Sequence, residues 1–142
     1  MRVLFVDFDG VLHAVAGPPS TMRLFVWAPV LDALLNEHPD VKLVVHASAR
    51  DHTPIETIVV QLGKLGERVK CAATPRLPRW EAIQRHVIAN AEISDYRILD
   101  DSQQEFPAEL PELILCAPNR GVSDPAVQQK IRDWLQAEKR VV

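Results

Sequence analysis

The chain has little of what several common function classes require. It carries two cysteines in 142 residues, Cys71 and Cys116. They form no CxxC pair and no histidine stands at zinc-ligand spacing beside them, which excludes a structural zinc site. Both have apolar neighbours, the setting of buried free thiols. Charge of one sign is also lacking. Sixteen Lys plus Arg against nineteen Asp plus Glu leave a net charge of −3, so no broad field draws phosphate backbones or anionic membranes, and strong nonspecific nucleic-acid binding is disfavoured. Long hydrophobic runs are missing. The first, Arg2-Val-Leu-Phe-Val6, is stopped by Asp7 and Asp9 and is too short for a signal-peptide core or a membrane span, so no membrane partner and a reducing, cytoplasmic location are expected. Aromatic residues make up 6%, and Trp27, Trp80 and Trp134 are scattered along the chain, a pattern of packing rather than base stacking. There is no internal repeat and no low-complexity segment.

What is present is an ordinary globular composition, 47% hydrophobic and 25% charged. A chain of this length buries roughly 68–70% of its unfolded surface, enough to hold a fold without disulfides or a structural metal. One domain over residues 1–142 is expected.

Short apolar runs at Val3 to Val6, Val41 to Val45, Tyr96 to Leu99 and Glu112 to Cys116 read as buried strands, with Arg68 to Ala72 as a weaker fifth. Helical patterns lie between them. In 53–65, Ile55, Ile58, Val59, Leu62 and Leu65 share a face; Thr53 and Glu56 have capping-box spacing, Pro54 falls at the first helical position, and Gly66 can end the helix in the left-handed conformation. Trp80, Ile83, Val87 and Ala91 form a second stripe. Asp124 caps a C-terminal helix with Val127, Ile131, Trp134 and Leu135 on one face, and a shorter helix near 28–38 uses Leu31, Leu34 and Leu35. Strands separated by single helices predict parallel pairing, hence an α/β, three-layer, Rossmann-like sandwich around a central parallel sheet. The one long irregular stretch, His13 to Trp27, has the length of a functional loop or partial lid.

In such a sheet ligands bind at the carboxyl ends of the strands, and the acidic residues stand there: Asp7 and Asp9 after the first strand, Asp100 and Asp101 after a later one, with Ser48 after the second. Carboxylates on one edge repel unless a cation sits among them, and oxygen-only donors favour a hard ion, Mg²⁺ above all.

Phe5-Val-Asp7-Phe-Asp9-Gly10-Val-Leu12, taken with Leu43-Val-Val-His-Ala-Ser48 and Tyr96-Arg-Ile-Leu-Asp100-Asp101, resembles the haloacid dehalogenase-like (HAD) superfamily of phosphohydrolases over nearly the whole chain. More narrowly, "DGVLH", "SAR" and "ILDDS" are similar to the small HAD domains that occur alone in bacteria or fused in RNA-repair proteins. The resemblance implies a Mg²⁺-dependent phosphatase. Asp7 would be the nucleophile that forms an aspartyl-phosphate and Asp9 the general acid and base. Ser48 would bind a phosphoryl oxygen, with Gly10 and Arg50 also placed to face the phosphate. The metal would rest on Asp7, the backbone carbonyl of Asp9, and Asp101 in preference to Asp100. The superfamily's third motif needs a Lys or Arg; Arg79 is the first choice, with Arg76, Lys64 and Lys70 as alternatives. His13, His46 and His52 lack metal-ligand spacing and read as ordinary loop or strand residues. No interval is long enough for a cap domain, so the site should be open and suit phosphorylated substrates as large as nucleic-acid ends. Three other readings compete. A receiver-like phosphoacceptor would carry its Asp on a middle strand, a metal-dependent nuclease needs a basic track, and an inactive HAD-like binding module has no reason to keep both Asp7 and Asp9.

Overall fold

The computed structural model describes residues 1–137; the last five residues of the expected domain lie outside the described part. The elements run β1 (Arg2–Val6), α1 (Ala28–Leu35), β2 (Val41–Val45), α2 (Ile55–Gln61), β3 (Val69–Ala72), α3 (Arg79–Ala89), β4 (Asp95–Asp100), β5 (Leu113–Leu115) and α4 (Pro125–Ala137). The five strands form one sheet in the order β3-β2-β1-β4-β5, and every neighbouring pair is parallel. The α/β Rossmann-like sandwich is therefore what the chain builds, with no cap module among the described residues. β1 lies at the centre, and chain order reverses between it and β4. That reversal opens the crevice where ligands bind in sheets of this kind.

Alternation along each strand sorts side chains onto two faces. Leu4, Val6, Leu43, Val45 and Leu99 join the larger apolar cluster with Leu31 and Leu35 of α1, Ile58 of α2, and Ile131 and Trp134 of α4. Val3, Phe5, Val44 and Ile98 join the smaller one with Ala82 and Ile83 of α3 and Phe106. The amino end of the sheet is closed by Arg2, whose guanidinium pairs with Asp40 at 2.8 Å, donates to the carbonyl of Leu135 at 3.1 Å and lies 5.5 Å from the Trp134 ring centre. No described helix is long and apolar enough to cross a membrane.

Several boundaries differ from the sequence expectation. The helix expected over 53–65 is only α2: Pro54 is extended and precedes it, Thr53 makes no side-chain cap, and the chain leaves the helix at Gly63, which takes φ +64°. Residues 63–68 continue as a tighter 3₁₀ stretch. Gly66 does not stop a helix. It lets that stretch pack onto α2, where a Cβ would sit 2.1 Å from the Val59 carbonyl oxygen. Ala91 falls beyond the end of α3 and β5 is one residue shorter at each end. α1 stops at Leu35 rather than near residue 38. Asp124 does cap α4, its Oδ1 accepting the Ala126 N–H at 2.9 Å. Cys116 is buried, whereas Cys71, on the sheet-edge strand β3, is only half-buried. The stretch from His13 to Trp27 is not a loose loop: Ala14, Phe25 and Trp27 are buried, and the Trp27 N–H bonds the Leu12 carbonyl. Val15 to Ser20, around Gly17-Pro18-Pro19, and Met22 to Leu24 face solvent.

Gly66→Ala is expected to destabilise the protein by roughly 1–3 kcal/mol, the usual cost of overpacking against backbone that cannot retreat; urea denaturation of the variant and the parent checks this.

Candidate active site

The strand alternation that builds the core also builds the site. Continuing Val3 and Phe5 by one step puts Asp7 on the α3 side of the sheet; Val44 leads likewise to His46, and Ile98 to Asp100. These three polar groups are almost completely buried. Arg79, the first residue of α3, reaches down among them. Its Nη1 donates to Asp7 Oδ2 at 3.2 Å and to Asp100 Oδ1 and Oδ2 at 2.9 and 3.0 Å. One guanidinium nitrogen thus joins the ends of β1 and β4. The alternatives for this role stand elsewhere: Lys64 faces Asp32, Lys70 pairs with Glu92, and Arg76 offers its backbone N–H to Asp51.

Asp100 is the most heavily bonded of the acids. Besides Arg79, its Oδ1 accepts the Ser102 N–H at 2.9 Å and its Oδ2 bonds His46 Nε2 at 2.8 Å. Burial alone would raise its pKa, but the donors from His46 and Arg79 outweigh it and hold the carboxyl below its usual range. Burial pushes His46 down, so the ring is neutral and its one proton sits on Nε2, facing Asp100; Nδ1 is buried without a partner. His46, read from sequence as an ordinary residue, is the support of Asp100. Its place two residues past Val44 was the available signal.

Asp7 has fewer donors, only the Phe8 N–H at 2.8 Å and Arg79. Burial, then the charge of Asp100, lifts its pKa from 3.8 to about 8. Burial and Asp100 also raise Asp101. In the protein without a cation, the excess proton of this cluster therefore rests on Asp7. Asp101, of opposite strand parity to Asp100, is half-exposed, and its Oδ1 accepts from Ser102 Oγ at 3.3 Å. Its Oδ2 fills the space over Gly10, where a Cβ would sit 2.1 Å away, and Gly10 itself has φ +78°. The glycine after the two motif aspartates thus makes room for Asp101.

Asp7, Asp100 and Asp101 each offer one carboxylate oxygen within 4.8 Å of the others. Oxygen-only donors, a raised pKa on the central acid and the cradle over Gly10 together fit a hard cation. Asp7, Asp9 and Ser48 line one cavity of about 200 Å³ together with Phe8, Leu24, Phe25, Ala49, Ile58 and Gln61. Asp9 is largely exposed and is held by His13 Nε2 at 2.7 Å.

Arg50 departs from expectation. It does not face a phosphate: its guanidinium is turned inward and donates to the carbonyls of His46, Ala47, Thr74 and Leu77. Burial lowers its pKa. The backbone just before α3 lacks partners within its own element, and Arg50 supplies them, tying the end of β2 to the segment that launches Arg79.

A family model described as "HAD domain in Swiss Army Knife RNA repair proteins" matches residues 3–127. The chain belongs to this family. Neither the curated proteins nor the solved structures compared with it include a match. The matched span of this HAD domain contains Asp7, Asp9, Ser48, Arg79, Asp100 and Asp101, and HAD-superfamily domains are phosphohydrolases in general.

Two outcomes follow for the HAD domain treated with chelator. Asp100→Ala strips Arg79 and His46 of their shared buried acceptor and should cost roughly 3–5 kcal/mol, whereas Asp101→Ala relieves repulsion and should leave stability unchanged or raised; urea melts of the two variants decide the ranking. The pH dependence has a definite sign. Asp7, raised to about 8, binds more protons folded than unfolded between its two pKa values, so its contribution to stability falls as pH rises toward 8. His46 and His86, both lowered by burial, act the opposite way but only up to about pH 6.5. From pH 7 to 8 the Asp7 contribution dominates, and the melting temperature should drop; Asp7→Asn should remove the drop.

Proposed function

We propose that this chain is a Mg²⁺-dependent phosphatase acting through an aspartyl-phosphate on Asp7. The observation that carries the reading is the convergence of Asp7, Asp9 and Ser48 on one cavity, with Arg79 clamping Asp7 to Asp100 from beneath. In the first step an Asp7 oxygen attacks phosphorus and the P–O bond to the leaving group breaks while Asp9 protonates the departing oxygen. In the second, Asp9 takes a proton from water, which attacks phosphorus; inorganic phosphate leaves and the Asp7 carboxylate is restored. Ser48 hydrogen-bonds a phosphoryl oxygen. Arg79 keeps Asp7 aimed and offsets the charge gathered at the strand ends.

Asp7, Asp101 and the backbone carbonyl of Asp9 are the groups to hold Mg²⁺, since both oxygens of Asp100 are already taken by His46, Arg79 and Ser102. When bound, the ion neutralises charge between nucleophile and phosphate and favours the ionised form of Asp7. The cavity walls beyond the acids are apolar, from Leu24, Phe25, Ala49 and Ile58, with Thr53 and Gln61 as neutral hydrogen-bonding groups and no Lys or Arg among the lining residues. Such walls suit the uncharged ring of a terminal nucleoside, in keeping with the RNA-repair proteins for which the family is described. Without a cap domain, the rest of a macromolecular substrate can lie across the open edge of the sheet. Two free thiols suit a reducing, cytoplasmic compartment.

Asp7→Asn should abolish Mg²⁺-dependent phosphate release from phosphorylated oligonucleotide ends and nucleotides with the fold intact, and no phosphoenzyme should be trapped by acid quench and mass spectrometry; turnover by the purified variant removes Asp7 from its role, and no turnover by the wild-type chain reduces it to a binding module. Asp101→Ala should raise the Mg²⁺ needed for half-maximal activity by roughly 10-fold or more, about the scale on which losing groups around a metal is felt. Titration of activity against Mg²⁺ reads this directly.

A further inference from the structure

The segment between β1 and α1 does something the phosphatase reading does not require of it. It passes back over the site at Phe25, a buried aromatic residue with φ +56°. A bulky residue in this conformation is strained and persists only where its surroundings hold it. Here they do: the ring packs edge-on against Phe8 at 4.8 Å and lies 5.8 Å from the His13 ring. The strained backbone points its N–H at His13 Nδ1, 3.3 Å away. A nitrogen that accepts an N–H bond carries no proton, so His13 is the neutral tautomer with its proton on Nε2. That Nε2 is 2.7 Å from Asp9 Oδ1. The His13 side chain is 8% exposed and that of Asp9 is 77% exposed, so the fixed member of the pair is the histidine. The backbone repeats the link, with the Gly10 N–H bonded to the His13 carbonyl at 2.9 Å.

We infer that His13 is a positioning residue for Asp9: set as an Nε2–H donor by the backbone of Phe25, it holds Asp9 Oδ1 and leaves Oδ2 as the oxygen that gives and takes the proton during phosphoryl transfer. The inference rests on the phosphatase reading for the role of Asp9, but the hydrogen bond itself does not. With Nδ1 occupied, His13 has no free site to accept a proton and does not replace Asp9 as the base. The stretch from His13 to Trp27 is then part of the catalytic apparatus and not a lid above it.

The test combines kinetics with a spectroscopic readout on the full chain. His13→Ala should lower kcat/KM by roughly 10- to 100-fold on an alkyl phosphate, where the leaving oxygen needs its proton and misplacement of the acid is costly. On p-nitrophenyl phosphate, whose leaving group departs unprotonated, the loss should be at least about tenfold smaller. His13→Gln, which keeps an N–H donor at the end of the side chain, should recover most of the loss and covers the case in which the alanine variant fails to fold. The ¹⁵N shifts of ¹⁵N-histidine-labelled protein, with the His13 signals assigned by their disappearance in His13→Gln, should show protonated Nε2 and bare Nδ1. Equal losses on both esters, no recovery in His13→Gln, or a ring protonated on Nδ1 would each overturn the proposal. If the wild-type chain shows no phosphatase activity the reading of Asp7 falls, and the ¹⁵N shifts alone then decide whether His13 is the fixed donor to Asp9.

Discussion

Two carboxylates from neighbouring strands, Asp7 and Asp100, are driven into one buried space, and the rest of the site is arranged around what that requires. Alone, the pair would repel in a medium that screens poorly. Arg79 answers with a single nitrogen in reach of both, but a guanidinium can serve there only if α3 begins at the right height above the sheet. Arg50 fixes that height by bonding the carbonyls of Thr74 and Leu77 just ahead of the helix. His46 then takes the remaining face of Asp100. The charge is distributed unequally as a result: Asp100 is held as a carboxylate by its donors, and Asp7 is left with the unsatisfied demand for a positive partner. A cation would meet that demand, so in the phosphatase proposed above the attacking group is also the one that depends most on a metal.

The sheet and the strand-end acids are legible because both follow from short-range patterns: apolar runs of strand length, two of them stopped by aspartates, alternating with segments of helical period. Arg79 was legible as a candidate through its place ahead of the third crossover, although its competitors Arg76, Lys64 and Lys70 could be set aside only when their partners were seen. The parity of Val3, Phe5 and Asp7, repeated in Val44 and His46 and in Ile98 and Asp100, was present in the sequence and would have separated Asp100 from Asp101 and singled out His46. Histidine is uninformative by type; by phase along the strand it was not.

What pattern reading missed depended on contacts distant in sequence or on backbone conformation. Nothing near Arg50 tells that its donors will be consumed by carbonyls from residues 74–77. The period of 53–65 runs on past Gly63 because the 3₁₀ stretch continues to bury Leu65, so one apolar stripe spans two kinds of helix. The irregular stretch from 13 to 27 reads as a functional loop or partial lid from its length; its anchor, Phe25, is set by a left-handed backbone that no local rule predicts for phenylalanine.

The clasp of Arg2 with Asp40, Leu135 and Trp134 gives the two ends of β1 separate duties. Arg2 and Asp7 are five residues apart on one extended path, about 16 Å at the rise of a strand. One end is closed by a satisfied cation, while the other leaves its acids wanting one. Changes at the closed end therefore adjust how firmly the sheet is held without altering charge at the open end, and this small domain can drift in stability while its chemistry stays fixed.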